Sequence, residues 1–265
     1  MRALADSARD GFAGFGRVLR FAGRVLAGIA TGRVLRFFGE ALRQAGILVV
    51  GSVLIVLGLV FILGLQCGIE GAYGSRAVGS PSTVGAFTAL CDLREVTPYA
   101  FGYMMAAKVG TGMVAELGSM RISDEIDALD VMGFDSLVFL CSTRLLGMWL
   151  VLPFVYLAAI AVGFVGSYIA VVQQIGEVSA GGYLQIFWQF QDPVDLVYSA
   201  IKGMGMATFV VLVGCYYGYH ATGGPVGVGT ATAKSMVANI LGIHVIGLLG
   251  TQLFWGGNAR APIGG

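Results

Sequence analysis

The feature that most constrains this sequence is an uninterrupted apolar stretch from Ile47 to Ile69. Its 23 residues include no charged side chain. A helix rises 1.5 Å per residue, so a stretch of this length covers about 34 Å, slightly more than the ~30 Å hydrocarbon core of a membrane. We therefore interpret it as a membrane-spanning helix.

The composition extends this interpretation to the whole chain. Of its 265 residues, 57% are hydrophobic and only 12% are charged, whereas soluble domains carry about 25% charged residues. So little polar surface cannot cover a water-soluble globule of this size. The composition excludes a soluble enzyme, a disordered protein and a disulfide-stapled secreted module. A net charge of +1 also excludes nucleic-acid binding driven by charge. An all-α polytopic membrane protein remains.

The apolar stretches predict five spans. Their approximate bounds are 47–69, 98–120, 145–172, 196–219 and 235–255. Between them we predict an outer loop at 173–195 and a Gly-rich cytoplasmic loop at 220–233. Gly214 and Gly218 form a small-xxx-small pair in the fourth span, which predicts close packing on another helix.

With five spans, eleven Lys and Arg residues lie in segments on the same side of the membrane as the N-terminus. Three lie in segments on the opposite side. Because cytoplasmic loops carry an excess of Lys and Arg, we expect a cytoplasmic N-terminus and an outside C-terminus. An odd number of spans without an internal repeat argues against two inverted halves, so a symmetric pathway would need a second chain.

Residues 1–46 form a separate basic region, and 47–265 form the membrane domain. The basic region holds eight of the 16 cationic residues. Apolar residues recur between its arginines at spacings of three and four, which predicts an amphipathic helix in the membrane interface, with the arginines facing anionic headgroups. A floppy basic tail is the alternative. The region is too long and too basic for a secretory signal.

Residues 121–143 form the most charged joint outside the N-terminus. Ser123 is a suitable N-cap and Gly133 a natural stop, so we predict a short amphipathic helix over Ser123–Met132. Its apolar stripe consists of Ile126, Leu129 and Met132. Six of the 15 acids lie within 20 residues, in this joint or just before it, namely Glu116, Asp124, Glu125, Asp127, Asp130 and Asp135. The cluster is open to three interpretations: a cation or catalytic carboxylate site, a solvated turn, or a helix that docks into a basic-rimmed groove of a partner.

Other chemical motifs are weak. The segment Gly229–Ser235 resembles a P-loop, but Val228 and Ala233 stand where the loop needs glycines. An energy-driven process would therefore need ATP on another subunit. Two histidines and four dispersed cysteines form no metal or nucleophile motif, and the cysteines fit small buried apolar residues. Lys108, ten residues into its span, lines a polar pocket or a subunit interface, or else snorkels to the headgroups.

Three segments resemble the MlaE/YrbE family, whose members are permease subunits of ABC transporters that work with MCE proteins on lipids. These segments are Leu93–Pro98, Glu116–Arg121 and Asp124–Asp135, and the resemblance runs from about residue 43 to 255. The C-terminal sequence Phe254–Pro262 is similar to sequences of the actinobacterial branch, where the permeases belong to Mce transporters. At Val96-Thr97 and at Asp124-Glu125 the sequence departs from the usual family sequence.

The resemblance implies a transporter subunit in the inner (plasma) membrane rather than an enzyme. It implies a second YrbE-type permease (a heterodimer rather than a homodimer), an ABC ATPase dimer that carries ATP and Mg²⁺, and an MCE assembly. This chain itself would bind no cofactor. Arg94 and Glu95 would contribute to the lipid cavity, and with Lys108 they are our candidates for the pathway. The candidates for coupling to the ATPase are Glu116, Arg121, Asp124, Glu125, Ile126, Asp127, Leu129, Asp130 and Met132.

Two other functions compete with this hypothesis. The first is an intramembrane lipid-modifying enzyme, with the carboxylates as acid and base. The second is a non-catalytic membrane anchor for MCE proteins.

Overall fold

The computed structural model describes residues 2–258 and residue 260. Within these residues there are ten α-helices and no β-strand. The helices are α1 (Arg2–Ala30), α2 (Phe38–Ala77), α3 (Val84–Cys91), α4 (Thr97–Met104), α5 (Thr111–Ile122), α6 (Glu125–Val131), α7 (Thr143–Tyr168), α8 (Ala180–Gln189), α9 (Pro193–Tyr219) and α10 (Gly224–Trp255).

Wider π-helical turns extend several of these helices without a break, and two of them join one α-helix to the next. They are Asp92–Val96, Met105–Gly110, Val138–Ser142 and Ile169–Ile175. Helices α3, α4 and α5 consequently form one continuous helical segment, in which a π turn lies between each pair of successive α-helices. A π turn inserts one extra residue and rotates the side chains that follow it, and such turns are common at functional sites.

Four helical segments are long and apolar enough to cross a membrane. They are Arg33–Ala77, Val138–Ile175, Pro193–Tyr219 and Gly224–Trp255. They contain the first, third, fourth and fifth predicted spans. The second predicted span, 98–120, is helical throughout but is not one of these four, so the count of five spans remains a prediction.

The helices are longer than the predicted spans. Helix α2 begins nine residues before Ile47 and ends at Ala77, because polar residues continue a helix beyond the apolar stretch. The predicted Gly-rich loop 220–233 is wrong for most of its length, since α10 begins at Gly224. Pro225 lies in the first turn of α10, where its missing N–H costs nothing. The predicted outer loop 173–195 contains helix α8.

The chain divides into two compact units. The first contains Met1–Leu48, Ala107–Leu150 and Thr208–Asn239. In this unit α1 packs through buried Phe21, whose ring lies 5.5 Å from that of Tyr216. The Ser142 hydroxyl donates to the carbonyl of Val25 at 2.9 Å. The basic N-terminal region thus forms the predicted helix, and this helix packs on its own unit.

Small residues allow two helices of the first unit to approach closely, as their spacing predicted. A Cβ atom on Gly214 of α9 would lie 3.1 Å from the carbonyl oxygen of Gly110. One on Gly218 would lie 2.8 Å from Cβ of Leu117 in α5. Larger side chains at these glycines would push α9 away from α5.

The second unit contains Val49–Ala106, Val151–Ala207 and Ile240–Gly265. Here α3 packs on α8, and the Thr88 and Tyr183 hydroxyls are hydrogen-bonded at 2.9 Å. A disulfide joins Cys67 of α2 to Cys91 of α3. The prediction that all four cysteines are isolated apolar residues is therefore wrong for this pair, because helix packing brings together two residues that are 24 apart in sequence. Cys141 and Cys215 are buried free thiols.

Candidate functional site

A network of buried charges lies in the second unit, and it begins where a proline interrupts helical hydrogen bonding. Pro98 has no N–H, so the carbonyl of Arg94, four residues earlier, loses its α-helical donor. The ammonium of Lys202 in α9 donates to that carbonyl at 2.9 Å. A distortion of one helix is thus satisfied by a charged side chain of another.

Arg94 is almost fully buried and forms an ion pair with Asp195. Its Nε and Nη2 donate to Oδ2 of Asp195 at 3.0 and 2.5 Å. The other carboxylate oxygen accepts from the indole N–H of Trp255 at 2.8 Å, and the guanidinium lies 5.3 Å from the Trp255 ring centroid. Both charges are therefore compensated, as burial requires.

The side chain of Lys202 is completely buried. Besides the Arg94 carbonyl, its ammonium donates to Oε2 of Glu95 at 2.7 Å and to the Thr251 hydroxyl at 2.8 Å. Three acceptors match the three donors of an ammonium group. The Thr251 hydroxyl lies 2.7 Å from the second oxygen of Glu95, so this carboxylate is held from two helices.

Glu95 is the point at which the network opens to the surface, because 40% of its side chain is exposed. An aromatic cluster lies one and two turns further along the same helical segment: the Tyr103 hydroxyl is 3.0 Å from Nε2 of His244, and the Tyr99 and Tyr103 rings are 6.0 Å apart. Leu248, 62% exposed, shares the α10 face of His244. Polar groups and exposed apolar side chains therefore lie side by side.

A second ion pair fixes the C-terminal segment beyond α10. Nη2 of Arg260 donates to Asp192 at 2.6 Å, and Arg260 lies 3.7 Å from Asp195. The hydrogen bond from Arg260, followed by one from the backbone N–H of Val194, holds the pKa of the Asp192 carboxyl below its ordinary value. The pair therefore stays charged at neutral pH.

The structure brings two of the three predicted pathway residues together. Arg94 and Glu95 belong to the network, whereas Lys108 is an exposed residue of the first unit without an ion pair among the described residues. Sequence reasoning missed Asp195, Lys202 and Trp255 as members of the site. A lysine inside an apolar span signals that some partner exists, but the sequence does not show which one.

A short helix, α6, lies where the sequence predicts one over Ser123–Met132, with shifted bounds. It begins at Glu125, and Asp124 precedes it in a left-handed conformation with φ of 59°. Ser123 is therefore not the N-cap; its hydroxyl donates to Oε1 of Glu125 at 2.9 Å. Asp tolerates this conformation better than most residues, so the turn falls at Asp124.

The predicted apolar stripe of this helix is divided between the interior and the surface. Ile126 is fully buried and anchors α6 on its own unit, while Leu129 is half-buried. Met132 of the predicted stripe is 64% exposed, and its neighbours Val131 (89%) and Phe134 (42%) are exposed as well. The exposed apolar surface of α6 thus lies at its C-terminal end, and Ile126 is not part of it.

Ion pairs brace the segment around α6. Arg121 donates to Asp127 at 2.6 Å, and the buried guanidinium of Arg144 lies 2.5 Å from Glu116. Arg33, which follows α1, pairs with Asp135. Oδ1 of Asp130 accepts from the backbone N–H of Ser136 at 3.2 Å. Most of these acids therefore hold the segment itself in place.

Comparison with known proteins shows which family both features belong to. The family model described as permease MlaE matches residues 41–253. The chain belongs to the MlaE permease family. The matched range includes Arg94, Glu95 and Lys202 of the network as well as α6, so both candidate sites lie within the family domain.

Curated relatives of this MlaE-family chain include two proteins named as permeases and one with another name. A probable ABC transporter permease of Rickettsia bellii is 26% identical over 83% of this chain and 84% of its own length. The Haemophilus influenzae intermembrane phospholipid transport system permease protein MlaE is 24% identical over 91% of this chain and 94% of its own. Arabidopsis thaliana TRIGALACTOSYLDIACYLGLYCEROL 1 is 28% identical over 68% of this chain and 51% of its own.

Proposed function

We propose that this chain is a permease subunit of an ATP-driven lipid transporter in the inner (plasma) membrane, working with MCE proteins. The observation that carries the proposal is the buried Arg94–Asp195 and Lys202–Glu95 network, which opens beside exposed apolar side chains in a chain of the MlaE permease family. One relative of this chain is named as a phospholipid transport permease.

The open edge of the network has the chemistry of a lipid site. A lipid presents a polar headgroup beside apolar chains, and the partly exposed Glu95 lies beside the Tyr103–His244 pair and exposed Leu248. The headgroup would bind at Glu95 and the tyrosines, and the acyl chains would lie on the α10 face. Because Lys202 and Arg94 are held by several bonds each, Glu95 keeps its place without a ligand. Lys108 would lie further along the pathway.

Helix α6 would transmit the conformational change of the ATPase subunits to the membrane helices. Exposed Val131, Met132 and Phe134 would enter a groove on an ATPase subunit, and the carboxylates Asp124, Glu125, Asp127 and Asp130 would face its basic rim. Glu116 and Arg121, through their pairs with Arg144 and Asp127, would make α6 move as one body with the neighbouring helices. ATP and Mg²⁺ would belong to that partner.

The two units support the proposed orientation, in which the N-terminus is cytoplasmic and the C-terminus lies outside. The three segments predicted on the cytoplasmic side, 1–46, 121–143 and 220–234, all belong to the first unit. Those predicted outside, 70–97, 173–195 and 256–265, all belong to the second. Successive connecting segments therefore alternate between the two units, as five spans would produce.

The assembly we propose contains this chain, a second permease, two ATPase subunits and an MCE assembly. The second permease would be a different paralogue, as in the actinobacterial branch of the family. Gentle detergent purification of the tagged chain from its own host, with mass spectrometry of what accompanies it, tests this directly. We expect an ATP-binding protein, a second permease of similar size and MCE chains. A monodisperse chain without partners would contradict the proposal and favour the intramembrane enzyme.

A further inference from the structure

A groove in the first unit joins α1 to the ends of α9 and α10. It is a cavity of about 490 Å³ whose lining includes Arg17, Val18, Phe209, Val213, Tyr216 and Lys234. It contains no residue of the Arg94–Lys202 network and none of α6. Neither proposed site therefore explains it.

The two cations of the groove set its electrostatic character. Arg17 of α1 and Lys234 of α10 are both exposed, and no acidic residue lines the cavity among those whose side chains the structure describes. Neither cation forms an ion pair with another described residue. Two positive charges that converge from different helices without a counter-ion attract an anion.

The remaining walls divide the groove into a polar and an apolar end. Phe209 and Val213 lie one helical turn apart on the same face of α9, and Tyr216 follows one turn later. A smaller cavity of about 230 Å³ continues from Tyr216 and Lys234 past His220. Tyrosines are typical of the boundary between hydrocarbon and headgroups. In the proposed orientation the cations would therefore lie at headgroup depth, and the apolar wall would lie deeper.

We propose that this groove binds one anionic phospholipid from the leaflet that faces the N-terminal segment. Its phosphate lies between Arg17 and Lys234, and an acyl chain lies along Phe209 and Val213. A soluble anion would use the cations but leave this apolar wall exposed to water. The bound lipid joins α1 to α9 and α10, so it holds the amphipathic helix against its unit rather than serving as cargo.

Native mass spectrometry of the complete complex tests the proposal without measuring transport, so its failure and that of the proposed function are distinguishable. The delipidated complex is titrated with dioleoylphosphatidylglycerol or dioleoylphosphatidylcholine in maltoside detergent. We expect one retained phosphatidylglycerol, with about a tenfold preference over phosphatidylcholine, equivalent to ~1.4 kcal/mol. Arg17→Gln combined with Lys234→Gln should abolish the preference. Both residues are exposed, so the folded state should survive.

Arg20→Gln combined with Arg36→Gln is the matched control. It removes the same charge from exposed arginines of the same unit that do not line the groove, and it should keep the preference. Ala238→Phe narrows the groove and should weaken the binding of both lipids. If both double variants lost the preference for phosphatidylglycerol equally, the preference would come from diffuse electrostatic attraction rather than from the groove. That result would overturn the proposal. Displacement of the bound phosphatidylglycerol by millimolar inorganic phosphate would also overturn the proposal. So would retention of the lipid by the isolated chain but not by the complex.

Discussion

Lys202 shows how one charge is accommodated inside an apolar helix. An ammonium in a membrane span is costly unless it is paired, and here it meets a carboxylate, a hydroxyl and the carbonyl released by Pro98. The sequence reveals the lysine but not these partners, because Glu95 lies 107 residues away. Only the resemblance to a family pointed to Arg94 and Glu95. Long-range pairing of this kind depends on how the helices pack.

Replacing Lys202 by Met should destabilise the second unit. The substitution leaves Glu95 without its counter-ion and the Arg94 carbonyl without its donor, and we expect a loss of about 1–3 kcal/mol. Thermal unfolding of the purified protein in detergent, followed by tryptophan fluorescence, measures it. Lys108→Met, at an exposed position without an ion pair among the described residues, is the matched control and should leave the melting temperature unchanged. Adding Glu95→Gln to Lys202→Met should recover part of the loss; no recovery would show that the ion pair is energetically unimportant.

Helix α6 shows the limit of periodicity in a short element. The sequence predicts its presence, because acids, a turn residue and apolar spacing coincide within ten residues. It does not predict which apolar residue points inward, since a helix of seven residues makes only two turns and its faces depend on its flanks. The left-handed turn at Asp124 rotates Ile126 into the interior. The exposed apolar surface is therefore at Val131 and Met132, where we propose the docking contact.

Two variants of α6 should separate anchoring from docking. Ile126→Ala removes a buried side chain and should lower stability by about 2–5 kcal/mol. Val131→Asp combined with Met132→Asp changes exposed positions, so the melting temperature should stay the same while lipid transport driven by ATP hydrolysis is lost. Melting temperature and transport in proteoliposomes of the complete complex are the two measurements. Full transport by the exposed-site double variant would exclude this end of α6 as the coupling contact.

The disulfide links α2 to α3 at a position that sequence spacing did not reveal. Under denaturing, non-reducing conditions a maleimide should label two cysteines per chain, Cys141 and Cys215, and all four after reduction. Cys67→Ala combined with Cys91→Ala should lower stability by about 3 kcal/mol for a closed loop of this length. Labelling of four cysteines without reduction would contradict the link.

At the scale of the whole molecule, hydropathy was the most informative signal. Four of the five predicted spans lie within the four long apolar helical segments, because lipid imposes a length and a polarity that composition records directly. The π turns, helix α8 and the helical start of α10 were not predicted. They depend on contacts between helices, such as the Thr88–Tyr183 bond between α3 and α8, which no local pattern contains.

The number of spans determines the relation between the two termini. Five spans place them on opposite sides of the membrane, whereas four would place them on the same side. We expect a cysteine at exposed Thr222 to react with a membrane-impermeant maleimide only in permeabilised cells, and cysteines at exposed Ser82 and Asn258 to react in intact cells. The background is the variant with all four native cysteines replaced. Protection of Asn258 in intact cells, with Ser82 still reactive, would exclude five spans and the orientation that the coupling role of α6 requires.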